Sequence, residues 1–225
     1  MAKPSAFFFE EANSALFESE LELEVLLEDA VDNLLKKYGS VKDDYFRENS
    51  YKRFFAGEIK SITKGKYSRA TEDGLYCHHI REDEYLNLAN LSFLKEQKPP
   101  YSVQKRENLV YCDLIEHFIL HLLIANKTNN KYGLPGVENY LLPMIMDWYL
   151  AADAVPTKGW AKTCYDKAYV TEPEGKKIIE KAKEISPQNA RLIDEILFRK
   201  PYDSTNSIED LIELLLSKDK SNQEI

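Results

Sequence analysis

The stretch "DLIEHFILHLLIA", residues 113–125, constrains the fold most. Asp113 and Glu116 stand at capping-box spacing, which satisfies two orphan backbone donors at a helix start, and this predicts a helix running to about Ala125. On such a helix His117 and His121 lie four residues apart, so both rings leave the same face and can reach one ion. The chain's other two histidines, His78 and His79, are neighbours in "LYCHHIREDE", residues 75–84. Leu75 to Ile80 reads as a short strand after the Asp73-Gly74 turn. Neighbours in a strand point to opposite sides. One of these two rings can therefore serve as a ligand while the other presents an imidazole, titrating near neutrality, to a water or a phosphate.

The flanks are helical in pattern. In residues 10–38, Leu16, Leu23, Leu27, Val31, Leu34 and Leu35 recur at helical spacing among acids, with Gly39 as a stop. A second helix is expected over 43–62, with Tyr45, Phe46, Phe54, Phe55, Ile59 and Ile62 as its apolar positions and Gly57 as an interruption. Residues 81–107 read as a mixed connection holding a short helix around Leu86 to Leu94 and the breaker "KPP". "NKTNNKYGLPG" is a loop, and further helices are expected from Val137 to Ala152, Trp160 to Tyr169, Glu174 to Ile185, Pro187 to Arg199 and Ser207 to Leu216. Ser186 is placed to cap a helix that has Pro187 at its first position, and Ser207 with Asp210 repeats the capping pattern. This divides the chain into an N-terminal helical region (1–62), a central motif (63–126) and a C-terminal helical region (127–225).

With 225 residues the chain can bury a real core, and 44% hydrophobic with 30% charged residues is a globular composition, not a disordered one. Runs such as "FILHLLIA" fall well short of the roughly 18 apolar residues of a membrane span, and the first residues lack the apolar core of a signal peptide. Three widely spaced cysteines, Cys77, Cys112 and Cys164, argue for a reducing compartment, so a cytoplasmic location is expected. The net charge of -8 counts against a plain nucleic-acid coat protein, but the charge is unevenly placed. Residues 10–32 carry nine acids and no base, whereas "KSITKGKYSR", residues 60–69, carries Lys60, Lys64, Lys66 and Arg69 with no acid.

From "CHHI", through "NLV", to the H-x-x-x-H pair, residues 74–124 resemble the HNH endonucleases, the ββα-metal nucleases that include bacteriocin DNases and many restriction and phage enzymes. Asn108 precedes His117 by nine residues and His121 follows by four, the intervals of the bacteriocin-type arrangement. The resemblance implies an α+β fold, mostly α-helical, with a central ββα-metal motif in a bacterial or phage protein. It implies that His78, His117 and His121 bind one divalent metal ion, that His79 is the general base, and that Asn108 orients the His79 ring or pins the loop. An all-imidazole ligand set favours zinc, nickel or manganese over magnesium. Asp113, one turn before His117, is a further potential ligand, with its capping position favouring a structural role. The two CxxC pairs of many members are absent, and Cys77 and Cys112 are given no ligand role.

The partner implied is nucleic acid, DNA first, cleaved at its phosphodiester bonds, with Lys60, Lys64, Lys66, Arg69 and Arg81 on the approach to the histidines as phosphate contacts. Tyr67, Tyr76 and Tyr111 are candidates to stack on bases, core packing being their default. The alternative is a non-catalytic helical interaction protein stapled by a structural metal, which has no need of His79. The acidic helix 10–38 is a candidate docking or dimer surface, or a mimic of a nucleic-acid strand.

Overall fold

The computed structural model describes residues 20–66, 72–152 and 154–198, and it is mostly helical with one small antiparallel sheet. Helix α1 (Glu20–Tyr38) buries Leu27, Ala30, Val31 and Leu34, an i, i+3, i+4, i+7 stripe, and leaves Glu24, Glu28, Asp29 and Asp32 to solvent. Residues 10–19 of the expected first helix, Arg69 and the expected helix 207–216 lie outside the described residues.

The expected helix over 43–62 is much shorter. Helix α2 covers only Glu48–Phe55, and the chain on either side of it is irregular apart from one bridge. Phe46 bridges Lys64 across an antiparallel pair, with Arg47 N donating to Thr63 O (2.8 Å) and Gly65 N to Tyr45 O (2.9 Å). Tyr45 and Phe46 are thereby driven inward as extended residues, where bulky aromatics fit better than on a helix interrupted at residue 57.

Strand β1 (Tyr76–His79) pairs with β2 (Leu109–Cys112), registered Tyr76↔Cys112, Cys77↔Tyr111, His78↔Val110 and His79↔Leu109. A two-stranded ribbon is marginal alone, and this one is held between two apolar clusters. Its alternation sorts the side chains: Tyr76, Val110 and Cys112 enter the larger cluster, whereas Cys77, Leu109 and Tyr111 enter the smaller one with Tyr45, Phe46 and Phe54. Between the strands run helix α3 (Leu91–Gln97) and short 3₁₀ turns at Ile80–Asp83, Tyr101–Gln104 and Arg106–Asn108.

Helix α4 (Leu114–Lys127) follows β2 directly and is apolar on nearly every side, with Leu114, Phe118, Leu120, Leu122 and Ile124 fully buried. Such a helix belongs in the middle of a core, and it is covered by α1, β1 and the later helices. Next, residues 134–150 alternate α turns (α5, Leu134–Gly136; α6, Leu142–Ile145) with π turns (Val137–Leu141 and Met146–Leu150). Pro135 and Pro143 cannot donate within such a run, which explains why one regular helix does not form there. Helices α7 (Gly159–Lys167), α8 (Glu172–Ile185) and α9 (Ala190–Phe198) complete the larger cluster. Ser186 caps no helix with its side chain. Its hydroxyl donates to Asn126 Oδ1 and accepts from Asn189, tying the turn before α9 to the end of α4.

The Asp113–Glu116 capping box forms as the spacing implied: Glu116 N donates to Asp113 Oδ1 (2.9 Å) and Asp113 N to Glu116 Oε2 (2.8 Å). Asp113 is thus structural, and Lys37 from α1 pairs with Glu116 over the same helix start. Asp113→Ala is expected to lower the unfolding free energy by about 1–2 kcal/mol, read as a lower urea midpoint at unchanged slope, with Asp113→Asn losing less.

Candidate metal centre

The pleat of β1 sends His78 toward α4 and His79 the other way. His117 and His121, one turn apart on α4, meet His78: the ring centroids are 5.2 Å apart for His78–His117 and for His78–His121, and 4.8 Å for His117–His121. One ligand nitrogen from each ring lies within 4.8 Å of the others. The Nδ1 atoms of His78 and His117 are buried without a hydrogen-bond partner. An unsatisfied buried nitrogen is costly, and an ion is the partner that suits several converging lone pairs.

His121 is held from outside. Its Nδ1 lies 3.0 Å from Gly133 O, and because a carbonyl only accepts, Nδ1 carries the proton and Nε2 keeps a bare lone pair. Two glycines permit this contact. At Gly133 (φ +76°) a Cβ would stand 2.3 Å from His121 O, and at Gly136 a Cβ would stand 2.5 Å from His121 Nδ1. The "GLPG" loop is therefore a backbone clamp on the ring.

Burial holds all four imidazoles neutral. His78 and His117 are pushed far below the usual histidine range by desolvation and by the neighbouring rings, and desolvation pushes His79 and His121 down to about 4. Neutral imidazole is the form a metal binds. Glu82, from the 3₁₀ turn after β1, enters the same corner, with Oε2 3.4 Å from His121 Nε2 and 3.9 Å from His78 Nδ1, and Oε1 3.8 Å from His79 Nδ1. Its own burial pushes its carboxyl up to about 7.

His79 stands apart from the trio. Its ring lies 4.5 Å from that of Tyr45, and it is only 2% exposed. Its Nε2 is 3.0 Å from Gln104 Oε1, while the Gln104 amide donates to Leu88 O. This fixes the tautomer: Nε2–H donates to Gln104, and Nδ1 presents a lone pair toward Glu82. An imidazole titrating near neutrality was expected here; burial moves it to about 4 instead.

Asn108 does not hold the ring. Its amide donates to Ser102 O (2.9 Å) and pins the loop, and Gln104 takes the ring-holding position. Gln104 carried no signal in sequence. Glu82 carried a weak one, a carboxylate three and four residues after the histidine pair. Lys60, Lys64 and Lys66 are exposed, and Lys64 Nζ sits 5.9 Å from the Tyr45 ring centroid, on the residue that packs against His79. Arg81 is exposed and paired with Glu84. Tyr111 is core, its hydroxyl accepting from Lys42 N, and Tyr76 stands 5.3 Å from the His117 ring.

All four histidines and Glu82 line one cleft of about 660 Å³, whose remaining walls include Phe93, Leu141, Met144 and, at an exposed rim, Tyr140 and Trp160. No Lys or Arg among the described residues lines it. Among the described residues, no helix is long and apolar enough to cross a membrane. No known family model, curated protein or solved structure matches the chain.

Gly136→Ala should displace the His121 ring and weaken zinc binding roughly tenfold or more in a chelator-competition titration, with the helical content unchanged. Acid should destabilise the metal-free protein. Between about pH 4 and 6.5 the unfolded chain protonates its histidines while the folded protein resists, so the stability they confer is complete above about 6.5 and is lost as pH falls. Glu82 and Asp113, both pushed up to about 7, act oppositely, but four imidazoles outnumber two carboxyls. The urea midpoint is therefore expected to drop steadily from pH 6.5 to 4.5.

Proposed function

We propose that the protein is a metal-dependent endonuclease of the HNH type, hydrolysing phosphodiester bonds in nucleic acid, DNA first. The observation that carries this reading is the convergence of His78, His117 and His121 on one cleft, which His79 also lines, apart from the trio and in a defined tautomer. The antiparallel pair β1–β2 leading straight into α4 is the order of elements that the HNH resemblance implies.

His78, His117 and His121 would hold the ion, which supplies Lewis-acid stabilisation of charge on the scissile phosphate and on the leaving 3′ oxygen. His79 acts on water. Gln104 fixes Nε2–H, so Nδ1 is the atom that takes the proton. A value near 4 makes a weak base in the resting protein. The phosphodiester anion brought beside the ring favours imidazolium and raises its basicity when substrate is present. Tyr45 packs on the ring and limits its rotation, and Lys64 sits over Tyr45 where a phosphate backbone would pass. Asn108 supports the loop that carries Gln104.

A second reading has one observation in its favour. The Glu82 carboxylate reaches into the trihistidine corner, and a site filled by protein ligands suits a structural ion in a helical interaction protein. The two readings part at His79. On the nuclease reading, His79→Ala lowers plasmid cleavage by about 10²–10⁴-fold in the presence of zinc, nickel or manganese, while bound metal measured by mass spectrometry stays stoichiometric. Undiminished cleavage by His79→Ala, or none by the wild type with any of these metals or magnesium, would return the site to the structural reading.

A further inference from the structure

We propose that Glu82 is the fourth protein ligand of the ion held by His78, His117 and His121. The inference rests on the trihistidine site, which both readings share, and adds a carboxylate to it; on the nuclease reading a phosphate oxygen would have to enter as a fifth ligand. Glu82 is delivered by the 3₁₀ turn Ile80–Asp83 that leaves β1 immediately after the histidine pair. The backbone N–H of Leu88 donates to Oε1 at 3.2 Å, which orients the group and leaves Oε2 facing His121 and His78. No Lys or Arg among the described residues pairs with it. Its ion-pair neighbours are His78, His79 and His121.

The tautomer of His121 makes this arrangement informative. Gly133 O holds the proton on Nδ1, so Nε2 and the Glu82 oxygen 3.4 Å away are two acceptors turned toward each other. His78 Nδ1, 3.9 Å from the same oxygen, has no hydrogen-bond partner. Acceptors in a buried corner repel unless a cation stands between them. A proton fits poorly, since O–H···N and O–H···O bonds run near 2.7–2.8 Å and neither separation is that short. A metal fits well. Ligand atoms about 2.1 Å from zinc at tetrahedral angles lie roughly 3.4 Å from one another, the separation found between Glu82 Oε2 and His121 Nε2. The ligand set is then three imidazole nitrogens and one carboxylate oxygen, drawn from the end of β1, the turn after it and the cleft-facing side of α4.

The experiment compares zinc affinity of the wild type, Glu82→Gln and His121→Ala by competition with a chromophoric chelator, together with the visible spectrum of the cobalt-loaded proteins. Glu82→Gln keeps the side-chain shape and removes the charge. It is expected to weaken zinc roughly tenfold or more, to alter the cobalt d–d bands, and to shrink the rise in Tm that zinc gives. Glu82→Asp, one methylene short, should fall between and serves if Gln does not fold. Unchanged zinc affinity and an unchanged cobalt spectrum in Glu82→Gln, with His121→Ala defective, would overturn this proposal and leave the trihistidine site standing. Zinc binding that is absent in the wild type, or indifferent to His121→Ala, would overturn both.

Discussion

Three imidazoles and a carboxylate share one buried corner of this protein, and burial has stripped them of the water that would otherwise satisfy them. Each is a group whose lone pairs seek a positive partner. The histidines cannot supply it by protonating, because desolvation drives their titration far below neutrality. Among the described residues, no Lys or Arg lines the cleft. The corner is energetically incomplete as protein alone: the Nδ1 atoms of His78 and His117 have no hydrogen-bond partner, whereas buried polar groups such as Gln104 and Asn189 are matched to partners.

The scaffold spends several devices on keeping this corner together. The ribbon alternation separates His78 from His79 by nothing more than one residue of a strand, yet gives them different neighbours: helix α4 for one, Tyr45 and Gln104 for the other. The capping box fixes where α4 starts, and hence which face carries residues 117 and 121. Gly133 and Gly136 let the following loop lie against the His121 ring at distances no side chain would allow. Each device is local, but all three act on the same few ångströms. A slip of one residue in the strand register would turn His78 away from α4 and leave Cys77 facing it.

What could be read from the sequence follows the range of the physics involved. The capped helix at 113–125 and the opposed directions of His78 and His79 depend on neighbours three or fewer residues away, and both are found. The amphipathic helices over 172–185 and 20–38 were likewise written in their spacing. Strand β2 is implied by the ββα resemblance but has no signature of its own, because "LVYC" is too short for its pattern to separate strand from helix, and only pairing with β1 defines it. The helix expected over 43–62 failed for the same reason. Tyr45 and Phe46 satisfy a helical pattern, but a bridge to Lys64 and burial against distant residues decide their conformation. Gln104 holding His79 in place of Asn108 is a contact across 25 residues through a connection with no periodic pattern, and nothing local encodes it.

On the nuclease reading, the neutrality of the site has a consequence for how an acidic chain would engage an anionic substrate. The net charge is -8, the cleft walls are largely apolar, and Lys64, whose Nζ sits over the Tyr45 ring, is not among the lining residues. Attraction for a phosphate inside the cleft would then come almost wholly from a divalent ion, with a single carboxylate and three neutral rings around it leaving a net positive charge. Recognition and chemistry would depend on the same charge. An apo protein built this way repels phosphate at long range and offers it nothing at short range, so binding of nucleic acid in the cleft should require the ion, while the lysines at 60–66 add only the salt-sensitive contacts of an outer rim.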